Sequence, residues 1–225
     1  LVITSGACPV HCRYCFRRHF PYQDHTGITQ LKQQLRRRLM QDLSINEVIL
    51  SGGDPLSLDD DTLFELIAVV ESISHVKTLR IHTRFPVVIP NRLTSEFISR
   101  LANSRLHKVC VFHINHPNEI NVELTEKTQR MHAARIHLLN QSVLLKGIND
   151  DEQTLVKLSE ALWRSSILPY YIHQLDSVDG AAHFAVSDSD AAKLIANLRN
   201  QLSGYLVPQL VREFPGAASK TPLYS

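Results

Sequence analysis

Cys8, Cys12 and Cys15 bring three thiols into one short run, Ala7-Cys8-Pro9-Val10-His11-Cys12-Arg13-Tyr14-Cys15-Phe16-Arg17-Arg18. Three thiolates on one loop can bind three irons of a [4Fe–4S] cluster and leave the fourth iron without a protein ligand, open to a substrate or cofactor. Zinc is the competing metal, with His11 as fourth ligand, but His11 lies between two of the cysteines, where tetrahedral closure is cramped. A disulfide framework needs paired cysteines in a short secreted chain, and Cys110 lies far away in the apolar run Val109-Cys110-Val111-Phe112. Cys110 reads as a buried strand residue with no redox role.

Two further positions carry chemistry. Gly52-Gly53 follows the apolar run Val48-Ile49-Leu50-Ser51, and glycines at a strand end either make a turn or let backbone approach a ligand closely. Lys220 ends the small-residue stretch Gly216-Ala217-Ala218-Ser219. A lysine amine forms a Schiff base with an aldehyde such as pyridoxal phosphate (PLP). On local grounds alone Lys220 reads as a solvated charge.

These residues need a scaffold, and the chain supplies one. Its 225 residues suffice for one large domain or a barrel, and 44% hydrophobic with 20% charged residues describes an ordinary soluble globular protein. The formal charge of +2 is uninformative. Arg36, Arg37 and Arg38 fall opposite Ile28, Leu31, Leu35 and Leu39 on a helical pattern, so they read as a solvated face rather than a nucleic-acid patch. No apolar run approaches the ~20 residues needed to span a bilayer, and the expected location is cytoplasmic. The start, Leu1-Val2-Ile3-Thr4, reads as a strand already in progress, so an N-terminal region is expected to be missing.

Apolar runs alternate with amphipathic stretches. Strands are predicted at 1–5, 47–51, 78–83, 108–113, 138–144 and 169–174, and helices at 28–43, 60–73, 94–103, 121–134, 151–165 and 188–202. Ser187-Asp188-Ser189-Asp190 reads as a capping box for the last helix. Six strand–helix units predict an α/β fold with a parallel sheet, a partial (β/α)6 TIM-like barrel. The chemical residues follow the strands: the cysteine loop, Ser51-Gly52-Gly53-Asp54, Arg84, His113-Ile114-Asn115-His116 and Asp176. In such barrels the C-terminal strand ends build the site.

The cysteine spacing resembles that of the radical S-adenosylmethionine (SAM) enzymes. That resemblance implies that the open iron takes SAM, that one electron splits it to a 5′-deoxyadenosyl radical, and that Ser51, Gly52, Gly53 and Asp54 form the glycine motif that meets the SAM amino group. The runs Cys12-Arg13-Tyr14-Cys15-Phe16-Arg17-Arg18, Leu50-Ser51-Gly52-Gly53-Asp54, Arg84-Phe85-Pro86-Val87-Val88, His113-Ile114-Asn115-His116-Pro117-Asn118-Glu119, Asn140-Gln141-Ser142-Val143-Leu144-Leu145-Lys146-Gly147, Pro169-Tyr170-Tyr171-Ile172 and Ser203-Gly204-Tyr205 resemble, in order, the lysine 2,3-aminomutase family over essentially the whole chain.

The family resemblance implies a radical SAM, PLP-dependent isomerase that moves an amino group between adjacent carbons, drawing on an external one-electron donor. It implies that Lys220 holds PLP, that Arg17 pairs with the substrate carboxylate as a bidentate fork, and that Asp176 receives the distal ammonium of L-lysine. Gln141, His113 and Asn115 fall on motifs lining the SAM side. Glu213 stands where the free-lysine enzymes carry a second ammonium-binding aspartate. The stretch Gly147-Ile148-Asn149-Asp150-Asp151 lacks a cysteine of their intersubunit zinc site, and the chain stops five residues after Lys220, without their C-terminal extension.

Together with Cys15-Phe16-Arg17-Arg18-His19-Phe20-Pro21-Tyr22, these departures resemble the bacterial branch that makes (R)-β-lysine, which a separate ligase attaches to elongation factor P. Glutamate and arginine are the alternative substrates, and a non-catalytic iron–sulfur or zinc protein is the alternative class. A homo-oligomer is compatible with the resemblance; nucleic acid and membrane are not expected partners.

Overall fold

The computed structural model describes residues 1–17, 27–214 and 216–223. The end of the basic run at Arg18 and His19, and the aromatic stretch that follows it, therefore lie outside the described residues. Eight strands form one sheet in sequential order: β1 (Val2–Ser5), β2 (Glu47–Gly52), β3 (Thr78–Thr83), β4 (His107–His113), β5 (His137–Val143), β6 (Leu168–His173), β7 (Gln209–Arg212) and β8 (Thr221–Pro222). The helices are α1 (Ile28–Gln41), α2 (Asp60–Glu71), α3 (Phe85–Val88), α4 (Ser95–Ala102), α5 (Val122–Ala133), α6 (Glu152–Arg164) and α7 (Asp188–Arg199). The six predicted strand–helix units are all present, and the α/β architecture with a mostly parallel sheet is as expected. The structure adds β7 and β8, which the sequence reading did not predict.

The chain divides into two compact units. The first comprises residues 1–10, 19–111 and 129–138, the second 11–18, 112–128 and 139–225. In the first, β1, β2 and β3 pair in parallel, with Val2 beside Leu50 and Leu50 beside Ile81. Val48, Leu50, Leu79 and Ile81 are at most 2% exposed, and alternate residues of each strand reach the same core as the pleat requires. Asp59 starts α2 by accepting the Thr62 N–H at 2.8 Å, and Thr94 does the same for α4 from Phe97 at 3.0 Å. In α1, Leu35 and Leu39 are buried while Arg36, Arg37 and Arg38 face solvent, as the helical periodicity predicts.

In the second unit β5, β6 and β7 are parallel, and β8 closes antiparallel on β7. Its core joins Leu144, Leu155, Ile172, Ala191, Ile195, Leu198 and Leu210. Ser187 caps α7 through the Asp190 N–H at 3.1 Å, and its hydroxyl also donates to the Asp190 carboxylate at 2.7 Å.

Candidate functional site

The end of β2 is built around the segment that leads into Cys8. Ser5 O accepts the Gly53 N–H at 2.6 Å, and Ala7 O accepts the Asp54 N–H at 2.8 Å and the Ser57 hydroxyl at 3.1 Å. A Cβ on Gly53 would lie 2.4 Å from Ala7 O, and one on Gly52 2.6 Å from Ser5 O. Gly52 also has φ +130°, a conformation closed to ordinary side chains. Both glycines are thus required by the protein's own backbone, and the Gly53 N–H is engaged by Ser5. Ser51 is buried, its carbonyl accepting from Thr4 Oγ1 at 3.0 Å.

Asp54 is only 2% exposed, and its carboxylate accepts from four donors: Leu56 N at 3.0 Å, Thr83 Oγ1 at 2.7 Å, Arg84 N at 2.7 Å and Phe85 N at 2.9 Å. Burial pushes its pKa up more than these hydrogen bonds pull it down. The side chain joins the ends of β2 and β3 and fixes the backbone of Arg84. Cys110 is buried in the same unit, and desolvation holds its thiol well above the ordinary range, as a structural cysteine should be.

The second half of the cysteine loop belongs to the other unit. Cys15 N–H donates to Cys12 O at 3.2 Å. Between them Tyr14 stacks on His113, with centroids 5.7 Å apart and planes 18° apart, and its hydroxyl meets His113 Nε2 at 3.0 Å. Asn115 Nδ2 donates to the same hydroxyl. The Tyr14 hydroxyl thus joins Asn115 and His113 in one hydrogen-bonded group at the end of β4. Asn115 is 3% exposed; its N–H donates to Glu119 at 2.8 Å, and its Oδ1 accepts Val143 N–H at 2.9 Å. The β4 end is therefore held rigidly where Tyr14 docks. Cys8, Cys12 and Cys15 are half-buried thiols outside any disulfide, and among the described residues no three His, Cys, Asp or Glu side chains form a ready metal cage.

Lys220 is placed by the two strands missing from the sequence reading. Arg212 pairs with Thr221 across the β7–β8 ladder, so the next pair outward is Glu213 with Lys220. Lys220 Nζ lies 3.2 Å from Glu213 Oε2, with the two side chains 27% and 58% exposed. The same amine is 5.9 Å from the Tyr171 ring centroid. Tyr171 and His173 share a face of β6, their rings 5.8 Å apart and edge-on. Burial, reinforced by the Lys220 charge and opposed by Glu213, lowers His173 to about 4. Asp176 is raised by burial and by Glu213, against the pull of Lys220 and Arg212. Arg212 is held bidentate by Asp188 at 2.7 and 2.8 Å, and Gln174 Nε2 donates to the same carboxylate at 2.8 Å.

The structure thus brings Lys220, Glu213 and Asp176 into one electrostatic neighbourhood, and His113 with Asn115 into another. Gln141, half-buried on β5, is the strand partner of Tyr171. Arg17 is half-buried, its guanidinium 4.9 Å from the Phe16 ring. His173 and Tyr14 went unremarked as site residues in the sequence. For His173 the available signal was its spacing from Tyr171, two residues along a strand and so on one face.

Comparison with known proteins fits this arrangement. Residues 2–158 match the family model described as the Radical SAM superfamily. A Haemophilus influenzae protein named L-lysine 2,3-aminomutase is 51% identical over 221 residues, covering 98% of this chain and 65% of the relative. An Escherichia coli K12 protein of the same name is 46% identical over 223 residues, covering 99% and 65%. A glutamate 2,3-aminomutase of Clostridioides difficile is 34% identical over 225 residues, covering 99% of this chain and 53% of the relative. The chain spans less than two thirds of the length of these relatives. In fold it resembles Streptococcus suis SuiB bound to S-adenosylmethionine, with a TM-score of 0.68 at 14% identity over 95% of this chain and 49% of that one. With the family model matching from β1 through most of α6, the chain belongs to the Radical SAM superfamily.

Proposed function

We propose that this chain carries the reaction centre of an L-lysine 2,3-aminomutase, which converts L-lysine to (R)-β-lysine by 1,2-amino migration. The observation that carries the reading is the placement of Lys220 Nζ 3.2 Å from Glu213 with Asp176 in the same field: a reactive amine beside two carboxylates suited to a substrate ammonium. When bound, the cluster and SAM supply hydrogen-atom abstraction, and PLP supplies an electrophilic carbonyl for a primary amine.

The residues present fit these groups. Cys8, Cys12 and Cys15 offer three thiols outside disulfides and would hold three irons. Tyr14, His113 and Asn115 fix the loop bearing Cys12 and Cys15 against the β4 end, and Gln141, Ser51 and Gly52 are the residues proposed to meet SAM. Asp54 acts on that set by holding the turn after β2. Lys220, half-buried and immediately before β8, would hold PLP. Arg17 would take the substrate carboxylate and Asp176 with Glu213 its distal ammonium.

Two carboxylates favour lysine over glutamate, whose distal carboxylate they would repel; a guanidinium satisfies them too, which keeps arginine as the second substrate. The product is suited to transfer onto elongation factor P by a separate ligase. The reading places the enzyme in the cytoplasm, with an external one-electron donor and a homo-oligomeric state to be measured; among the described residues no helix is long and apolar enough to cross a membrane.

The test is anaerobic reconstitution with iron and sulfide, followed by spectra with and without SAM and borohydride trapping of PLP. A SAM-responsive iron–sulfur chromophore and a PLP adduct lost in Lys220→Ala support the reading. A colourless zinc protein indifferent to SAM would sink it in favour of a non-catalytic binding protein.

A further inference from the structure

Asn149 lies in the turn between β5 and α6 and is 0% exposed. A buried carboxamide has two donor hydrogens and an acceptor oxygen to satisfy, and here backbone groups use all of them. Its Nδ2 donates to Asn115 O and to Val143 O, both at 2.9 Å, and its Oδ1 accepts the Leu145 N–H at 2.7 Å. Carbonyls only accept and the Leu145 N–H only donates, so these partners fix which way the carboxamide points.

Two of the three contacts close the turn itself, and the third leaves it. Asn115 follows β4, and its Nδ2 donates to the Tyr14 hydroxyl, which also meets His113 Nε2 at 3.0 Å. Asn115 Oδ1 accepts the Val143 N–H at 2.9 Å, so the β5 end grips this residue by both its carbonyl and its side chain. Tyr14 stands between Cys12 and Cys15. A continuous relay, Asn149 to Asn115 to Tyr14, therefore runs from a turn that carries no thiol to the loop that carries two. Cys8 lies outside the relay: the segment before it is tied to the β2 turn, where Ala7 O accepts from the Asp54 N–H and the Ser57 hydroxyl.

We infer that Asn149 is a positioning residue for the thiols of Cys12 and Cys15, acting through Asn115 and Tyr14. It holds Asn115 in place, Asn115 holds the Tyr14 hydroxyl, and two of the cluster's three thiols are thereby set before iron arrives. Without the Nδ2 hydrogens, Asn115 O and Val143 O lose the donor they share, and the carboxamide under Tyr14 loses its fixed support. A separate contact limits the damage. The Arg13 guanidinium is 5.4 Å from the Phe184 ring centroid, and Phe184 O accepts the Lys146 N–H at 2.8 Å. The loop then loosens without detaching, so a several-fold effect is expected and not full exposure.

The test reads each thiol separately, by timed anaerobic iodoacetamide labelling of the whole chain without iron, followed by mass spectrometry. Asn149→Asp keeps the shape and the acceptor and removes the donors. It is expected to speed labelling of Cys12 and Cys15 about fivefold, the equivalent of one lost hydrogen bond, with Cys8 unchanged and the buried Cys110 still unlabelled. Rates equal to those of the unaltered chain overturn the inference, and so does a Cys8 accelerated as much as the other two while Cys110 stays closed. A residue that only shaped its own turn would lower stability without that selectivity.

Tyr14→Phe keeps the ring and removes only the hydroxyl, and it decides the case if Asn149→Asp opens Cys110 as well. The same gain of about fivefold is expected at Cys12 and Cys15 alone; no gain contradicts the relay. Where Asn149→Asp folds, adding it to Tyr14→Phe is expected to change the labelling by less than about twofold, since both substitutions cut one relay. Effects that multiply independently would place Asn149 outside it.

Discussion

The Gly52-Gly53-Asp54 turn and the Lys220 corner are both strand-end features, yet they are opposites in construction. The turn is saturated: a carboxylate 2% exposed accepts four hydrogen bonds, and two glycines leave no room for a methyl group. The corner is half-open, held by one ion pair between partly exposed side chains, and contains an imidazole and a carboxyl displaced from their ordinary pKa values. The difference separates frame from chemistry. The turn offers a fixed backbone against which a ligand can be placed, whereas the partly exposed charges of the corner are where titration and exchange can act.

The sharpest way to break the comparison is Gly53→Ala. A methyl 2.4 Å from Ala7 O must push the Gly6–Ala7 backbone away from the turn and strain the Asp54–Ala7 and Gly53–Ser5 hydrogen bonds, so a loss of about 3 kcal/mol is expected in denaturant unfolding. A loss below about 1 kcal/mol would show that the turn is not saturated. Asp54→Ala comes next, at about 3 kcal/mol, because four donors lose their acceptor.

Acid separates the two regions further. Asp54 has a raised folded pKa, so its contribution is better below the ordinary carboxylate value and is lost as pH rises through that value to the raised one. His173 runs the other way. Its folded value of about 4 lies below the unfolded 6.5, so its contribution is fully present above 6.5 and is lost as pH falls from there toward 4. The full span is worth up to roughly 3 kcal/mol. Unfolding measured across that window should lose slope in His173→Gln; an unchanged slope would remove His173 from the account.

Glu213→Gln probes the corner alone. With its side chain 58% exposed it should change stability by less than about 1 kcal/mol, while weakening lysine capture about tenfold, seen as a higher KM. The smallest effect belongs outside both regions: Arg38→Gln removes an exposed pair with Asp42 at 3.0 Å and should shift stability by no more than about 0.5 kcal/mol.

What the sequence made legible follows the same division. Periodicity located β1 to β6 and their helices because each buries a face long enough to impose a period, as Leu35 with Leu39 does in α1. It missed β7, where only Leu210 and Val211 are apolar against the Leu1-Val2-Ile3 run at β1, and β8, of two residues including Pro222, which leave too little of a run to read. Those strands bring Lys220 beside Glu213, so the pair was reached by resemblance and not by pattern. Gly52 and Gly53 were legible as special positions, but the atoms they make room for are those of Ser5 to Ala7, a contact no local window contains. Tyr14 on His113 is likewise a contact across 99 positions. His173 was hidden because a pKa shift comes from burial, not from residue type.

The central claim is that this site isomerises lysine, and product analysis tests it most directly. The reconstituted chain is incubated anaerobically with SAM, PLP, a reductant and equal concentrations of lysine and glutamate, and the β-amino acids are separated by chromatography. The account expects (R)-β-lysine as the dominant product, dependent on both cofactors and abolished by Lys220→Ala; β-glutamate in its place would contradict it.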